Sequence, residues 1–278
     1  MSLFREPQRK GSALGIKPEV AQRVRGKVAI VTGGGGDPSI GRSIALRLAE
    51  EGAHTAIFDI DSAGAQAVAK EITDGGGTAA AFGCNILDMP GIQAAVSEVA
   101  EKWGGVDILV NCAAWYKGMG GFKAFDEWTE EQWDKMMAVN VKGSWNMAKA
   151  VVPYMKQRRY GKIINVASDC FLIGVPGFIH YISSKGAIVG LTRGLARELG
   201  EFGIRVNTLA PGYTMTEESV IQCESRPGWA DVMRGQQALG ERNQQPEDLA
   251  GPVLFLASED SDFVTAHTLV VNGGVVCY

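Results

Sequence analysis

The chain has 278 residues, 46% hydrophobic and 21% charged, with 27 basic against 31 acidic side chains and a net charge of −4. That balance argues against a nucleic-acid or anionic-lipid binder, which carries the opposite bias, and is too apolar for a disordered chain. No apolar run approaches the ~18 residues of a membrane span, and the opening MSLFREPQRKGSALG lacks the apolar stretch of a signal peptide.

Residues 1–25 read as a polar N-terminal extension without periodicity, and a single domain is expected over 26–278. KVAIVTG reads as a fully buried strand and GRSIALRLAEEGA as a helix with Ile44, Leu48 and Ala49 on one face. HTAIFDI is a second strand, and AGAQAVAKEITDGG a helix that stops at glycine. TAAAFGCNI and VDILVNCA are strands either side of the helix GIQAAVSEVAEKWGG. One long helix is predicted over WTEEQWDKMMAVNVKGSWNMAKAVVPYMK, then a strand over GKIINVAS and a helix over YISSKGAIVGLTRGLARELGEFG. IRVNTLAPG, PEDLAGPVLFLAS and HTLVVNGG complete the alternation as strand, helix and strand. Strands alternating with helices predict a doubly wound, seven-stranded parallel α/β sheet with helices on both faces, Rossmann-like in form. Ligands bind such sheets beyond the carboxyl ends of the strands.

The five cysteines (Cys84, Cys112, Cys170, Cys223, Cys277) are odd in number and form no C-x-x-C pair, which argues against disulfides and zinc. The three histidines lack metal-ligand spacing, so no metal is expected, and the cysteine usage fits a reduced, cytoplasmic protein.

After the first strand comes Thr32-Gly33-Gly34-Gly35-Gly36-Asp37-Pro38-Ser39-Ile40-Gly41, with a helix at once behind it. Glycines let backbone amides approach a pyrophosphate, and the helix N-terminus adds partial positive charge. The second strand ends in Asp59, 18 positions after Gly41, where a carboxylate accepts hydrogen bonds from adenosine ribose hydroxyls. A 2′-phosphate would meet that carboxylate with no Lys or Arg in the 33–41 loop or at position 60, which favours NAD over NADP. Asp61 reads instead as the cap of the next helix.

The fifth strand ends at Ser168; Tyr181 follows thirteen residues later, and Lys185 four after that, on the same helical face. An ammonium beside a phenol stabilises the phenolate, and a serine at the adjacent strand end can orient the reacting oxygen.

With these residues in place, the chain resembles the short-chain dehydrogenase/reductases of the single-domain Tyr-x-x-x-Lys kind, over about residues 26–274. The matching stretches are Thr32-Gly33 through Ile40-Gly41, Asp59, Asn85-Ile86, Asn111 through Ala114, Asn140, Ser168, Tyr181 through Lys185, Pro211 through Thr216, Pro246-Glu247-Asp248 and Val271 through Gly274. The resemblance implies that Tyr181 is the acid/base, that Lys185 lowers its pKa and holds the nicotinamide ribose, and that Ser168 polarises the substrate oxygen. Asn140 would bind a water that relays protons to Lys185. Gly33, Ser39, Ile40 and Gly41 would cradle phosphate, Asn85 and Ile86 flank adenine, and Asn111 and Ala113 line the cofactor. Pro211, Gly212, Thr214 and Thr216 would fix its carboxamide and phosphate parts. The phosphate loop is two residues longer than the family pattern, with Ser39 for the middle glycine, and N-N-A-G reads Asn-Cys-Ala-Ala. Longer loops occur in the enoyl-reductase branch, whose tyrosine and lysine have six residues between them; here three intervene, which disfavours that branch.

Trp115, Tyr116, Cys170, Phe171, Phe178, Tyr213 and Trp229 are expected over the nicotinamide, an apolar pocket suited to a hydrophobic, cyclic or aromatic substrate. His180 reads as a neutral structural residue, since adjacent helical residues do not share a face. Residues 214–243, with Pro227-Gly228 in the middle, are expected to form a mobile lid. The expected activity is NAD-dependent interconversion of a secondary alcohol and a ketone. An NADPH-dependent ketone reductase and a non-catalytic NAD(H) sensor are the alternatives, the latter disfavoured by the complete proton-transfer set. The resemblance also implies a homotetramer packed through helices around 128–157 and 181–200 and near the C-terminus.

Overall fold

Val28 and Ile30 lie in one apolar core and Ala29 and Val31 in another, all buried, so the first strand is covered on both faces. Side chains alternate across a strand, and a strand buried on both sides reads as a continuous apolar run. In the computed structural model, which describes residues 22–119 and 121–276, this strand is β1 (Val28–Thr32). It is followed by α1 (Ile40–Glu50), β2 (His54–Asp59), α2 (Ser62–Asp74), β3 (Thr78–Gly83), α3 (Met89–Trp103) and β4 (Ile108–Asn111). Then come α4 (Glu130–Met137), α5 (Gly143–Arg158), β5 (Gly161–Val166), α6 (Cys170–Ile173), α7 (Ile179–Leu199) and β6 (Ile204–Pro211). The chain closes with α8 (Glu217–Ser225), α9 (Trp229–Gly235), α10 (Glu247–Ala257) and β7 (Thr268–Val271).

The sheet order is β3-β2-β1-β4-β5-β6-β7, and each neighbouring pair is parallel. The apolar faces of α1, α2 and α10 cover one side and those of α3, α5 and α7 the other. The winding reverses between β1 and β4, where such a sheet opens a crevice at its carboxyl edge.

Two sequence expectations change, the long helix and the start of the domain. The long helix predicted over 128–156 is two helices, α4 and α5, joined by a wide π turn at Ala138–Lys142 that carries Asn140 inward. Turns of this kind inside helices concentrate at functional sites. The segment expected as a lid, 214–243, contains the helices α8 and α9. Of the predicted extension, residues 1–21 lie outside the described residues, but Val24 is buried in the core and its amide donates to Glu51 O at 3.3 Å. The expected Cys277 also lies outside the described residues.

A buried polar ladder joins the strands beneath the crevice to α7. Asn111 Nδ2 donates to Asn165 Oδ1 at 2.8 Å, Asn165 Nδ2 to Thr192 Oγ1 at 2.9 Å, and Thr208 Oγ1 to Thr192 Oγ1 at 2.8 Å. Such a network is stabilising when its members are paired; the amide and hydroxyl donors here are, while Asn111 Oδ1 is a buried acceptor without a partner among the described residues. It fixes the height of α7 against the ends of β4, β5 and β6. No helix among the described residues is long and apolar enough to cross a membrane.

Candidate active site

One cavity of about 590 Å³ runs along the carboxyl edge of the sheet, from Asp59 and Asn85 at one end to Tyr181 and Trp229 at the other. Its floor begins at the turn after β1. Gly33 has φ of +70°, and a Cβ there would sit 2.7 Å from Ala113 Cα, so glycine is required. A Cβ on Gly41 would collide with the Gly33 carbonyl, so the N-terminus of α1 can sit directly on the strand turn. Ser39 caps that helix, its Oγ accepting from Arg42 N at 3.1 Å. Thr32 adds a contact that sequence reasoning missed: its Oγ1 accepts from both Cys112 N and Ala113 N at 3.1 Å, binding the β1 and β4 exits together. The bare backbone cradle facing a helix N-terminus fits a dinucleotide pyrophosphate.

Asp59 stands at the predicted place, but its carboxylate also braces the loop. Oδ2 accepts from Gly35 N at 2.8 Å and Oδ1 from Asp61 N at 2.9 Å. Asp61 caps α2, accepting from Ala63 N and Gly64 N. Arg42, the cation nearest the loop in sequence, is committed to Glu71 at 2.6 Å and lies 3.5 Å from Asp37. Asn85 and Ile86 line the same end; Asn146 Nδ2 holds the Ile86 carbonyl at 2.9 Å, and a Cβ on Gly143 would collide with the Ile86 side chain.

At the other end, Ser168, Tyr181 and Lys185 share the cavity wall. Lys185 Nζ lies 5.4 Å from the Tyr181 ring centroid and donates to Val166 O at 2.9 Å. Burial dominates the electrostatics here. It pushes the Tyr181 phenol well above its ordinary range, opposed by the Ser168 hydroxyl, and pushes the Lys185 ammonium down. Thiols at Cys112 and Cys170 are raised by burial to about 11, which leaves them as packing groups rather than nucleophiles.

Two predicted residues stand behind the wall instead of in it. Asn111 belongs to the buried ladder and also donates to Ser144 O at 3.2 Å. Asn140 is buried; its Oδ1 accepts from Trp115 N at 2.8 Å and its Nδ2 donates to Ser184 Oγ at 3.0 Å, next to Lys185 in the chain. Of the expected substrate pocket, Cys170, Phe178 and Tyr213 line the cavity. Trp115 does not: it turns toward His180 and lies beneath Lys135 Nζ, 4.5 Å from its ring, and Tyr116 and Phe122 take the wall. His180 is fully buried 3.8 Å from the Trp128 ring centroid, its pKa lowered by burial and by Lys123.

The segment after β6 folds over this end. Pro211, Gly212, Thr214 and Thr216 reach the cavity. Thr214 Oγ1 bonds Gly212 O and Gln244 Oε1 at 3.0 Å, and Thr216 caps α8. Tyr213 OH donates to Ser219 O at 3.2 Å, and Gln222 Nε2 donates to Tyr116 OH at 3.1 Å, so α8 is tied to both sides of the opening. Asp169, which sequence reasoning passed over, also lines the cavity, and its place directly after Ser168 was the available signal.

A family model described as enoyl-(acyl carrier protein) reductase matches residues 34–276. The chain is 35% identical over 255 residues to a 3-oxoacyl-(acyl-carrier-protein) reductase of Thermotoga maritima, covering 91% of this chain and 99% of the relative. It is 34% identical over 259 residues to a 2-(S)-hydroxypropyl-CoM dehydrogenase of Xanthobacter autotrophicus, covering 92% and 99%. Among solved structures, a putative short-chain alcohol dehydrogenase of Sinorhizobium meliloti superposes with a TM-score of 0.83 at 31% identity, covering 91% of this chain and 97% of the other. A putative gluconate dehydrogenase of Agrobacterium tumefaciens gives 0.84 at 27%, covering 90% and 96%. With its seven-stranded sheet and its Ser168, Tyr181 and Lys185 gathered at one cleft, the chain belongs to the short-chain dehydrogenase/reductase family of oxidoreductases.

Proposed function

We propose that this protein is an NAD-dependent oxidoreductase that interconverts a hydrophobic, cyclic or aromatic secondary alcohol and its ketone. The observation that carries this is the gathering of Ser168, Tyr181 and Lys185 in one cavity lining, beside aromatic residues Tyr116, Phe122, Phe178, Tyr213 and Trp229. In this reading Ser168 hydrogen-bonds the reacting oxygen, and Tyr181 takes the hydroxyl proton in oxidation or returns it in reduction. Lys185 holds the ribose and adds positive charge beside the phenol, while Asn140 positions the helix end through Ser184 and, as the family implies, holds a relay water. A bound dinucleotide supplies the hydride acceptor or donor and, when oxidised, a further positive charge that favours the phenolate. Asp59 facing the adenosine ribose, with Arg42 already paired to Glu71, supports NAD over NADP. Residues 214–243 act as the mobile lid that excludes water during transfer. A homotetramer is also proposed; half-exposed Trp133 on α4 and Trp145 on α5 support packing through those helices.

Reduction of a 3-oxoacyl thioester with NADPH is the second reading, supported by the Thermotoga maritima relative. Nicotinamide absorbance with a panel of cyclic and aryl alcohols and a 3-oxoacyl thioester, each with both dinucleotides, decides between them. Turnover of the alcohols with NAD, lost in Tyr181→Phe, is the expected result; preference for the thioester with NADPH would replace the first reading by the second.

A further inference from the structure

Asp169 is 6% exposed, sits in the wall of the cleft and follows Ser168 directly. Its backbone is held on both sides: the amide donates to Pro211 O at 2.8 Å, and the carbonyl accepts from Leu172 N at 2.8 Å. The carboxylate has one protein donor, Asn272 Nδ2, at 3.1 Å from Oδ2. That amide is oriented by Gly274 N, which donates to Asn272 Oδ1 at 3.1 Å, so its NH₂ group faces the carboxylate. Among the described residues Asp169 forms no ion pair with Lys, Arg or His.

A carboxylate buried with one neutral donor is costly unless something else pairs with it. A neutral carboxamide or an aliphatic side chain would fill this place at lower cost. Oδ1, the oxygen not used by Asn272, has acceptor capacity left, and the wall it shares holds the groups that handle the reacting oxygen. The chemistry that satisfies it is a hydrogen-bond donor on the molecule that Ser168 and Tyr181 hold. Lys185 already places a cation in the same cleft, so a neutral hydroxyl is favoured over an ammonium.

We propose that Asp169 is a specificity-determining residue that accepts a hydrogen bond from a second hydroxyl on the substrate, beside the carbon undergoing oxidation, so that vicinal diols and the corresponding hydroxy-ketones are preferred. This rests on the oxidoreductase reading above and narrows its substrate class. A site built around a substrate hydroxyl rejects the analogue lacking it, because the buried partner is then left unpaired.

The test compares kcat/KM for cyclohexanol and cis-cyclohexane-1,2-diol in the wild type, Asp169→Asn and Asp169→Ala, alongside NADH affinity by fluorescence and far-UV spectra. Asn at this position turns its NH₂ toward the substrate when its oxygen faces Asn272, so it removes the acceptor while keeping the shape. The wild type is expected to favour the diol by about 10- to 100-fold, the range of a hydrogen bond to a charged group, and both variants to lose that preference. Equal losses on the two substrates, a wild type indifferent to the second hydroxyl, or a loss confined to NADH affinity would each overturn the proposal. If no alcohol turns over with either dinucleotide, the secondary-alcohol reading fails by itself. The recognition claim is then decided by whether the diol perturbs NADH fluorescence in the wild type and not in Asp169→Ala.

Discussion

The amide of Glu217, the first residue of α8, donates to the carbonyl of Pro38 in the glycine loop at 2.9 Å. Glu217 Oε1 also pairs with Lys117 Nζ, in the segment after β4, at 3.2 Å; that pair is solvent-exposed and contributes little. The helix over the substrate end is thus bonded to the loop at the phosphate end. Order in the loop and order in the segment above it are coupled through this bond.

Removing the cap of α8 should therefore weaken dinucleotide binding at a distance. Thr216→Ala is expected to cost the helix about 1 kcal/mol, a typical cap loss. Dinucleotide affinity should fall roughly five-fold, the equivalent of that energy. Fluorescence titration and limited proteolysis near Arg226-Pro227-Gly228 read the two effects. Faster cleavage with unchanged affinity would mean that loop and helix are not coupled.

Tyr181→Phe keeps the ring contact with Tyr116, 5.4 Å between centroids, and removes only the hydroxyl. Turnover is expected to drop by about 10²- to 10⁴-fold, the range of a lost general acid or base, with NADH affinity held within a few-fold. On the proposed reading, in which Lys185 serves both, Lys185→Met should lower turnover and dinucleotide affinity together. Single-turnover kinetics beside equilibrium binding separate the two patterns.

Asp59 should set the choice of dinucleotide. A carboxylate about 4 Å from a 2′-phosphate costs roughly 1 kcal/mol per unit charge in water and about 4 at a protein surface, so NADP should bind at least about ten-fold more weakly than NAD. Asp59→Ser should narrow that ratio. It should also weaken both ligands, because Gly35 N and Asp61 N lose their acceptor. Isothermal titration with each dinucleotide measures both; a wild type that prefers NADP would refute the role given to Asp59.

Stability should fall with rising pH through Asp169. Burial raises its carboxyl from 3.8 to about 6, the Asn272 amide opposing. Between those values the native protein keeps a proton that the unfolded chain has released, so raising the pH through that window favours unfolding. The cost is absent below 3.8 and complete above about 6, with an upper bound of about 3 kcal/mol from the size of the shift. Asp169→Asn should leave the melting temperature near the wild-type value at the acid end and raise it above pH 6. Thermal melts across that range test the sign: a variant less stable than the wild type at neutral pH would contradict it.

Much of this site was legible without coordinates. The β1 run is apolar at each position because both faces are covered, and the glycines after it mark a backbone that must approach something closely. The pair Tyr181 and Lys185, four apart, could only share a face of one helix. Trp115 and Tyr116 show where such reading stops: neighbours in sequence, they diverge into the packing around His180 and into the cleft wall, and no periodicity in a loop distinguishes them. Asn111 and Asn140 were found by resemblance, but their partners Asn165 and Ser184 are 54 and 44 residues away and are brought close only by the winding of the sheet.

The sequence by itself determined the alternation of strands and helices, the glycine-rich turn after β1 and the shared face of Tyr181 and Lys185, because these depend on local periodicity, on the absence of side chains and on short spacing. Only the tertiary structure decided which groups share an environment. It placed Tyr181 and Lys185 in a cleft where burial is the largest influence on both, paired Asp169 with Asn272 across 103 residues, and bonded Glu217 to the loop at Pro38. Desolvation and long-range hydrogen bonds depend on what the rest of the fold brings near, and a linear string does not carry that information.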